Sequence, residues 1–165
     1  MSTAIYRMPE FADINLAQPG YLVRVSKFPD GELGIEVPAD DKSDDALLFG
    51  ACHNAEASEA MLATAYELAQ RHDSVFVVIA YFRNARSERR TSRETVVMAK
   101  LQARLWSGLG SKAHIHMVEP HSDLIENYFT GVAVTQDSWL DFMVTRACAN
   151  GAPTCSPPWT RGGPP

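Results

Sequence analysis

Cysteine is scarce in this chain and badly placed for chemistry. Cys52, Cys148 and Cys155 make an odd number, and none sits in a C-x-x-C pair, so the spacing supports neither a zinc site nor a dithiol redox centre. Reduced, structural thiols are the expectation. Long apolar runs are missing as well. No stretch approaches the roughly 18 apolar residues that read as a membrane span, and no basic-then-apolar leader opens the sequence, so a cytoplasmic protein with no membrane partner is expected. Positive charge is short overall: 15 Lys and Arg stand against 20 Asp and Glu, for a net charge of −5. A general nucleic-acid surface needs a broad basic face, which this balance excludes. There is no G-x-x-x-x-G-K-[ST] either, which removes the Walker-type route to nucleotide phosphates.

With 165 residues, 45% of them hydrophobic, the chain is long enough to bury one full core. Residues 1–20 hold Pro9, Pro19, Gly20 and scattered apolar positions, and read as an irregular lead-in with at most one helical turn. Tyr21–Val25 and Leu33–Val37 alternate on either side of Pro29-Asp30-Gly31, a β-hairpin pattern. Asp40–Asp45 is an acidic link without the glycine and distal glutamate of a calcium loop. A strand over Ala46–Cys52 leads to a helix over Ser58–Arg71, capped by Ser58. Val75–Phe82 reads as a central strand buried on both faces. A helix through Val97–Leu109, a strand over Ala113–Val118, a short helix over Asp123–Tyr128, a strand over Val132–Val134 and a helix over Ser138–Ala149 follow.

That alternation predicts an α/β fold: a mostly parallel sheet with helices on both faces, right-handed crossovers and an N-terminal β-hairpin. The α/β domain is expected over 21–149. The Pro- and Gly-rich 150–165 is expected to be a disordered tail.

Chemistry concentrates after the central strand. Arg83, Arg86, Arg89, Arg90 and Arg93 fall within eleven residues of an otherwise acidic chain. Arginine pairs phosphate oxygens through a planar fork of donors, and a helix start adds free backbone N–H groups. The plainer alternative is a solvated helix start whose arginines pair with Glu88 and Glu94. His114 and His116 share a strand face, but no third metal ligand is evident. His121 follows a strand's end, where open α/β sheets place ligands.

Three stretches, in order, carry a resemblance. KFPDGELGIEV at Lys27–Val37, YFRNARSERR at Tyr81–Arg90 and VEPHSDLIENYF at Val118–Phe129 resemble the RFSDGE-x-x-V, PYF-x-x-AR-Q-D-R and VDLH-x-x-x-I-x-x-FF segments of the phosphoribosyl pyrophosphate synthetases, or ribose-phosphate diphosphokinases. The match runs over about residues 21–137, the N-terminal half of such an enzyme. The resemblance implies a phosphoribosyltransferase-like fold that takes ATP as substrate with Mg²⁺ as cofactor. It implies nucleotide contacts from Arg86, Ser87, Arg89 and Arg90, and a magnesium role for His121. It also implies that Phe28, Asp30 and Glu32 reach the adenine of ATP on a neighbouring subunit, hence a homo-oligomer.

The family's second domain, which binds ribose 5-phosphate, has no counterpart in the sequence. Diphosphoryl transfer by this chain alone is therefore expected to be poor or absent. A non-catalytic associated subunit, a truncated gene product and a binding domain for another nucleotide are the alternatives. Ser87 replaces the family's glutamine, Glu88 its aspartate, and Glu119-Pro120 its Asp-Leu.

Overall fold

The structure is a computed structural model that describes residues 2–13, 20–39 and 42–137. The helix expected over 138–149, the tail at 150–165 and part of the acidic link lie outside the described residues.

Six strands form one parallel sheet: β1 (Thr3–Arg7), β2 (Tyr21–Leu22), β5 (Asp45–Gly50), β6 (Ser74–Ile79), β7 (Ala113–Val118) and β8 (Ala133–Asp137). Their spatial order is β2-β1-β5-β6-β7-β8, and every pairing in it is parallel. The β-hairpin is separate, an antiparallel pair of β3 (Arg24–Lys27) and β4 (Leu33–Glu36). Helix α1 (Ala55–Arg71) connects β5 to β6, and α2 (Met98–Ser107) precedes β7. The α/β class and the hairpin are as expected. Among the described residues no helix is long and apolar enough to cross a membrane.

Register explains the core. Ala4, Ala46, Val75 and Ala113 lie side by side across four strands, as do Tyr6, Leu48, Val77 and Ile115. All eight are buried. Side chains alternate along a strand, so these rows share one face. The steps β5 to β6, β6 to β7 and β7 to β8 advance in one direction. Right-handed crossovers then put α1 and α2 on that same face. There Met61, Ala65 and Leu68 of α1 and Ala99, Ala103 and Trp106 of α2 seal the rows. At the end of β5, a Cβ on Gly50 would lie 2.6 Å from the Met8 side chain and 2.7 Å from Met61 Sδ. Glycine there lets both methionines close over the strand.

Four local expectations need correction. Residues 3–7 are not lead-in but strand β1, interior to the sheet, because Ala4 and Tyr6 alternate inward and Met8 continues the series. A 3-10 turn over Pro9–Phe11 follows it. Tyr21–Leu22 leaves the hairpin to pair with β1, so the hairpin proper begins at Arg24. Asn54, not Ser58, caps α1, its side chain accepting from the Ala57 amide at 2.8 Å. Ser58 is buried inside the helix and donates to Gln102 Oε1 at 3.2 Å. Lastly, β6 is central but not buried on both faces: Phe76 is 44% exposed and stacks on His114, with ring centroids 5.5 Å apart.

Candidate functional site

In a parallel sheet every strand ends on the same edge, and open α/β folds bind ligands there. Backbone geometry singles out the same edge. Among the described residues three non-glycine residues hold left-handed φ, Asn84 at 60°, Glu119 at 49° and His121 at 73°. All three lie in the loops that leave the adjacent strands β6 and β7. Asparagine tolerates this region; glutamate and histidine are held there by their surroundings at a cost of order 1–3 kcal/mol each, and such residues cluster at ligand sites. The Glu119 amide is fixed by the carbonyl of Asp137 at 3.1 Å, and the Asn84 carbonyl accepts from Ser87 N at 2.9 Å.

His121 lines a cavity of about 370 Å³ with Glu119, Ser122, Asp123, Gln136 and Asp137. Three carboxylates therefore share its wall. Asp123 accepts from Gln136 Nε2 at 2.9 Å, and Asp137 pairs with His116 Nε2 at 3.3 Å. Among the described residues Gln136 Oε1 is buried without a hydrogen-bond partner. An orphaned acceptor beside carboxylates suits a hard cation. Among the described residues no three His, Cys, Asp or Glu groups converge closely enough to hold a metal by themselves. Magnesium fits such a wall nonetheless, because it keeps several waters and takes only one or two carboxylates besides the oxygens of a phosphate substrate.

The arginine segment divides. Arg89 and Arg90 line a different cavity, of about 540 Å³, with Val96, Val97, Lys100, Leu101, Arg104 and Tyr128. Arg86 is exposed in the turn before it. Among the described residues, the guanidinium groups of Arg83, Arg86 and Arg93 make no hydrogen bond or ion pair. Among the described residues the plainer reading of the cluster holds for one member only: Arg89 Nε pairs with Glu88 Oε1 at 2.9 Å, while Glu94 forms no ion pair.

Glu88 lines neither cavity but pairs with Arg89, which lines the larger one. It is buried, and its own backbone amide, then Arg89 and, more weakly, His121, hold its carboxyl below its ordinary value against the opposing effect of burial. Tyr128 fixes it from the other side by donating its hydroxyl to the Glu88 carbonyl. Sequence reasoning named Glu88 as a pairing partner for the arginines and as a departure from a family pattern. Asp137, Gln136, Tyr128, Lys100 and Arg104, which line the two cavities, were missed, although Tyr128 lies inside one of the quoted segments.

Ser87 is committed to the scaffold. Its hydroxyl accepts from the Met98 amide at 3.3 Å and donates to the Val96 carbonyl at 3.0 Å, and its carbonyl accepts from Ala99 N at 3.2 Å. Two of the N–H groups at the start of α2 are thereby filled. The free helix start expected behind the arginines is closed by the segment's own serine.

Phe28, Asp30 and Glu32 form the hairpin tip, where Asp30 Oδ1 accepts from Glu32 N at 3.2 Å and Phe28 is 54% exposed. A Cβ on Gly34 would come within 3.1 Å of the Phe28 ring, so glycine lets that ring fold back over the strand. The hairpin is tied to α1 by the pair Lys27–Glu56. Its tip lines neither cavity. His114 and His116 both hydrogen-bond Thr135 Oγ1, at 2.9 and 3.0 Å, and β7 is interior rather than an edge. At the end of β5 burial pushes the Cys52 thiol up to about 12, which removes it as a nucleophile.

No protein-family profile matches this chain. No curated protein matches it by sequence. Its structure does have a counterpart, the phosphoribosylpyrophosphate synthetase of Mycobacterium smegmatis, with a TM-score of 0.69 over 90% of this chain at 17% identity. The fold is that of a phosphoribosyltransferase-like α/β domain. The chain spans about half, 52%, of the length of that enzyme.

Proposed function

We propose that this chain is a nucleotide-binding domain of phosphoribosyl pyrophosphate synthetase type, taking ATP with Mg²⁺ at the ends of β6 and β7. One observation carries the reading: the arginine segment and the loop that lines the acidic cavity leave the adjacent parallel strands β6 and β7, at the edge where such sheets bind ligands. In this reading Arg86, whose guanidinium is uncommitted, grips phosphate oxygens, and Arg89 and Arg90 add positive field. His121, Asp123 and Asp137 would hold magnesium, directly or through its waters. The metal would neutralise charge on the diphosphoryl group during its transfer to ribose 5-phosphate. Binding and orientation are what these side chains supply; no nucleophile is required. Phe28, Asp30 and Glu32 would serve the adenine of a neighbouring subunit.

The likeness in fold and the three ordered sequence segments support this reading. A second reading, a non-catalytic associated subunit, is favoured by the departures from the family's pattern at Ser87 and at Glu119-Pro120. Calorimetric titration of ATP, with magnesium and with chelator, is the test. Heat that appears with magnesium supports the site, and absence of heat from folded protein sinks it. Assay of AMP release with ribose 5-phosphate then separates the two readings: none is expected from this chain alone, and robust turnover would overturn the need for a second domain.

A further inference from the structure

Strand β7 carries a histidine pair that the nucleotide reading does not use. Residues two apart in a strand stand on one face. Ile115 and Met117 are buried on the side of α1 and α2, so His114 and His116 stand on the opposite one. Strand β8 runs alongside, with Thr135 in register with His116 and Ala133 in register with His114. Alanine fills little of the space beside His114, and that ring reaches along the sheet to Thr135 instead. The two imidazoles therefore converge: His114 Nε2 lies 2.9 Å and His116 Nδ1 3.0 Å from the same atom, Thr135 Oγ1.

Each ring is also steadied from behind. Phe76 stacks on His114, with ring centroids 5.5 Å apart and planes 29° from parallel. Asp137 Oδ2 lies 3.3 Å from His116 Nε2. An ionised carboxylate only accepts, so it draws the proton of the neutral His116 ring to Nε2 and leaves the Nδ1 lone pair facing Thr135. A carboxylate behind one ring nitrogen, with the other nitrogen bare, is how histidine is oriented as a metal ligand. His114 is wired differently. Thr135 has one hydroxyl proton and gives it to His116, so His114 donates its Nε2–H to the hydroxyl oxygen. That proton passes to Nδ1 when Nε2 takes a metal.

We propose that His114 and His116, with the Thr135 hydroxyl between them, form a site for a divalent late transition ion of the Zn²⁺ class. Imidazole suits such ions, whereas magnesium prefers carboxylate, carbonyl and water oxygens. Zinc sits about 2.0–2.1 Å from an imidazole nitrogen, so each ring has to close on the Thr135 position by only about 1 Å. Among the described residues no third His, Cys, Asp or Glu completes the ligand set. Water fills the remaining positions, for which the exposed Thr135 leaves room. His114, His116 and Thr135 line neither the acidic nor the basic cavity, and the site stands or falls independently of the nucleotide reading.

Calorimetric titration of the full chain with Zn²⁺ in chelator-free buffer tests it, with circular dichroism to confirm folding. Wild type and His121→Ala should both bind zinc. His114→Ala and His116→Ala should each weaken it at least about 10-fold, the least expected when even an orienting partner of a metal ligand is lost. Co²⁺ in place of zinc should give a visible absorption that either histidine substitution removes, a signal that a purely structural role would not move. His114→Ala should leave the magnesium-dependent affinity for ATP within about twofold, as expected of independent sites. Folded wild type that takes up no zinc would overturn the proposal. So would zinc binding that survives both histidine substitutions, or that is lost in His121→Ala alone, which would move the ion to the acidic cavity.

Discussion

The cavity around His121 and the cavity around Arg89 are of opposite sign. Around His121 the wall is acidic, with Glu119, Asp123 and Asp137; around Arg89 it is basic, with Arg90, Lys100 and Arg104. Neither suits a magnesium–phosphate ligand alone. An acidic wall accepts the metal and repels the phosphate, and the basic one does the reverse. One at the end of β7 and the other along α2 and the loop before it, they would in the proposed reading offer each half of such a ligand its own counter-charge.

Substitutions can pull the two halves apart. The largest effect belongs to Arg86→Ala: loss of charge-assisted hydrogen bonds worth about 1.5–3 kcal/mol should weaken ATP about 10- to 100-fold, by calorimetry, without a change in melting temperature. Ser87→Ala should do the opposite. Uncapping α2 should cost about 1 kcal/mol in urea unfolding while leaving ATP affinity of the folded protein within about twofold. A large loss of affinity would restore Ser87 to the ligand. Tyr128→Phe removes the bond to the Glu88 carbonyl and should cost about 1 kcal/mol, with a small decline in affinity if that tether aligns the two cavities.

A subtler signature lies in acid. Glu88's carboxyl is held below its ordinary 4.5 in the folded chain. Its contribution to stability is therefore present above the unfolded value and lost as the pH falls through the folded one. Unfolding free energy measured from about pH 5 downward should fall less steeply in Glu88→Gln than in the wild type. Equal slopes would show that Arg89 and His121 do not hold the charge.

Much of this was readable in the chain. The strands with strong alternation or continuous apolar character, β5 to β7, were legible because a period of two survives in the sequence, and so were α1 and the hairpin turn at Pro29-Asp30-Gly31. Strand β1 was not. Five residues before a proline give too little pattern, and its burial comes from β2 and β5 on either side, contacts that only the tertiary fold supplies. Asn54 as the cap was hidden because Ser58, a better-looking signal, sits one turn inside.

The site divides along the same line. His121 and the arginines are visible as residue types in suggestive places. That Ser87 is consumed by α2, that Arg89 and Arg90 line a different cavity from His121, and that Gln136 leaves a buried acceptor unpaired among the described residues are matters of direction, which one-dimensional spacing does not encode.

The most direct test of the paired cavities is ATP affinity as a function of magnesium concentration in the wild type, Arg86→Ala and His121→Ala. The account predicts that Arg86→Ala weakens ATP at every magnesium level, including in chelator. His121→Ala should erase only the gain that magnesium brings and leave the metal-free affinity unchanged. Equal losses in both variants with and without magnesium would contradict a division between metal and phosphate. So would two variants that bind as the wild type does.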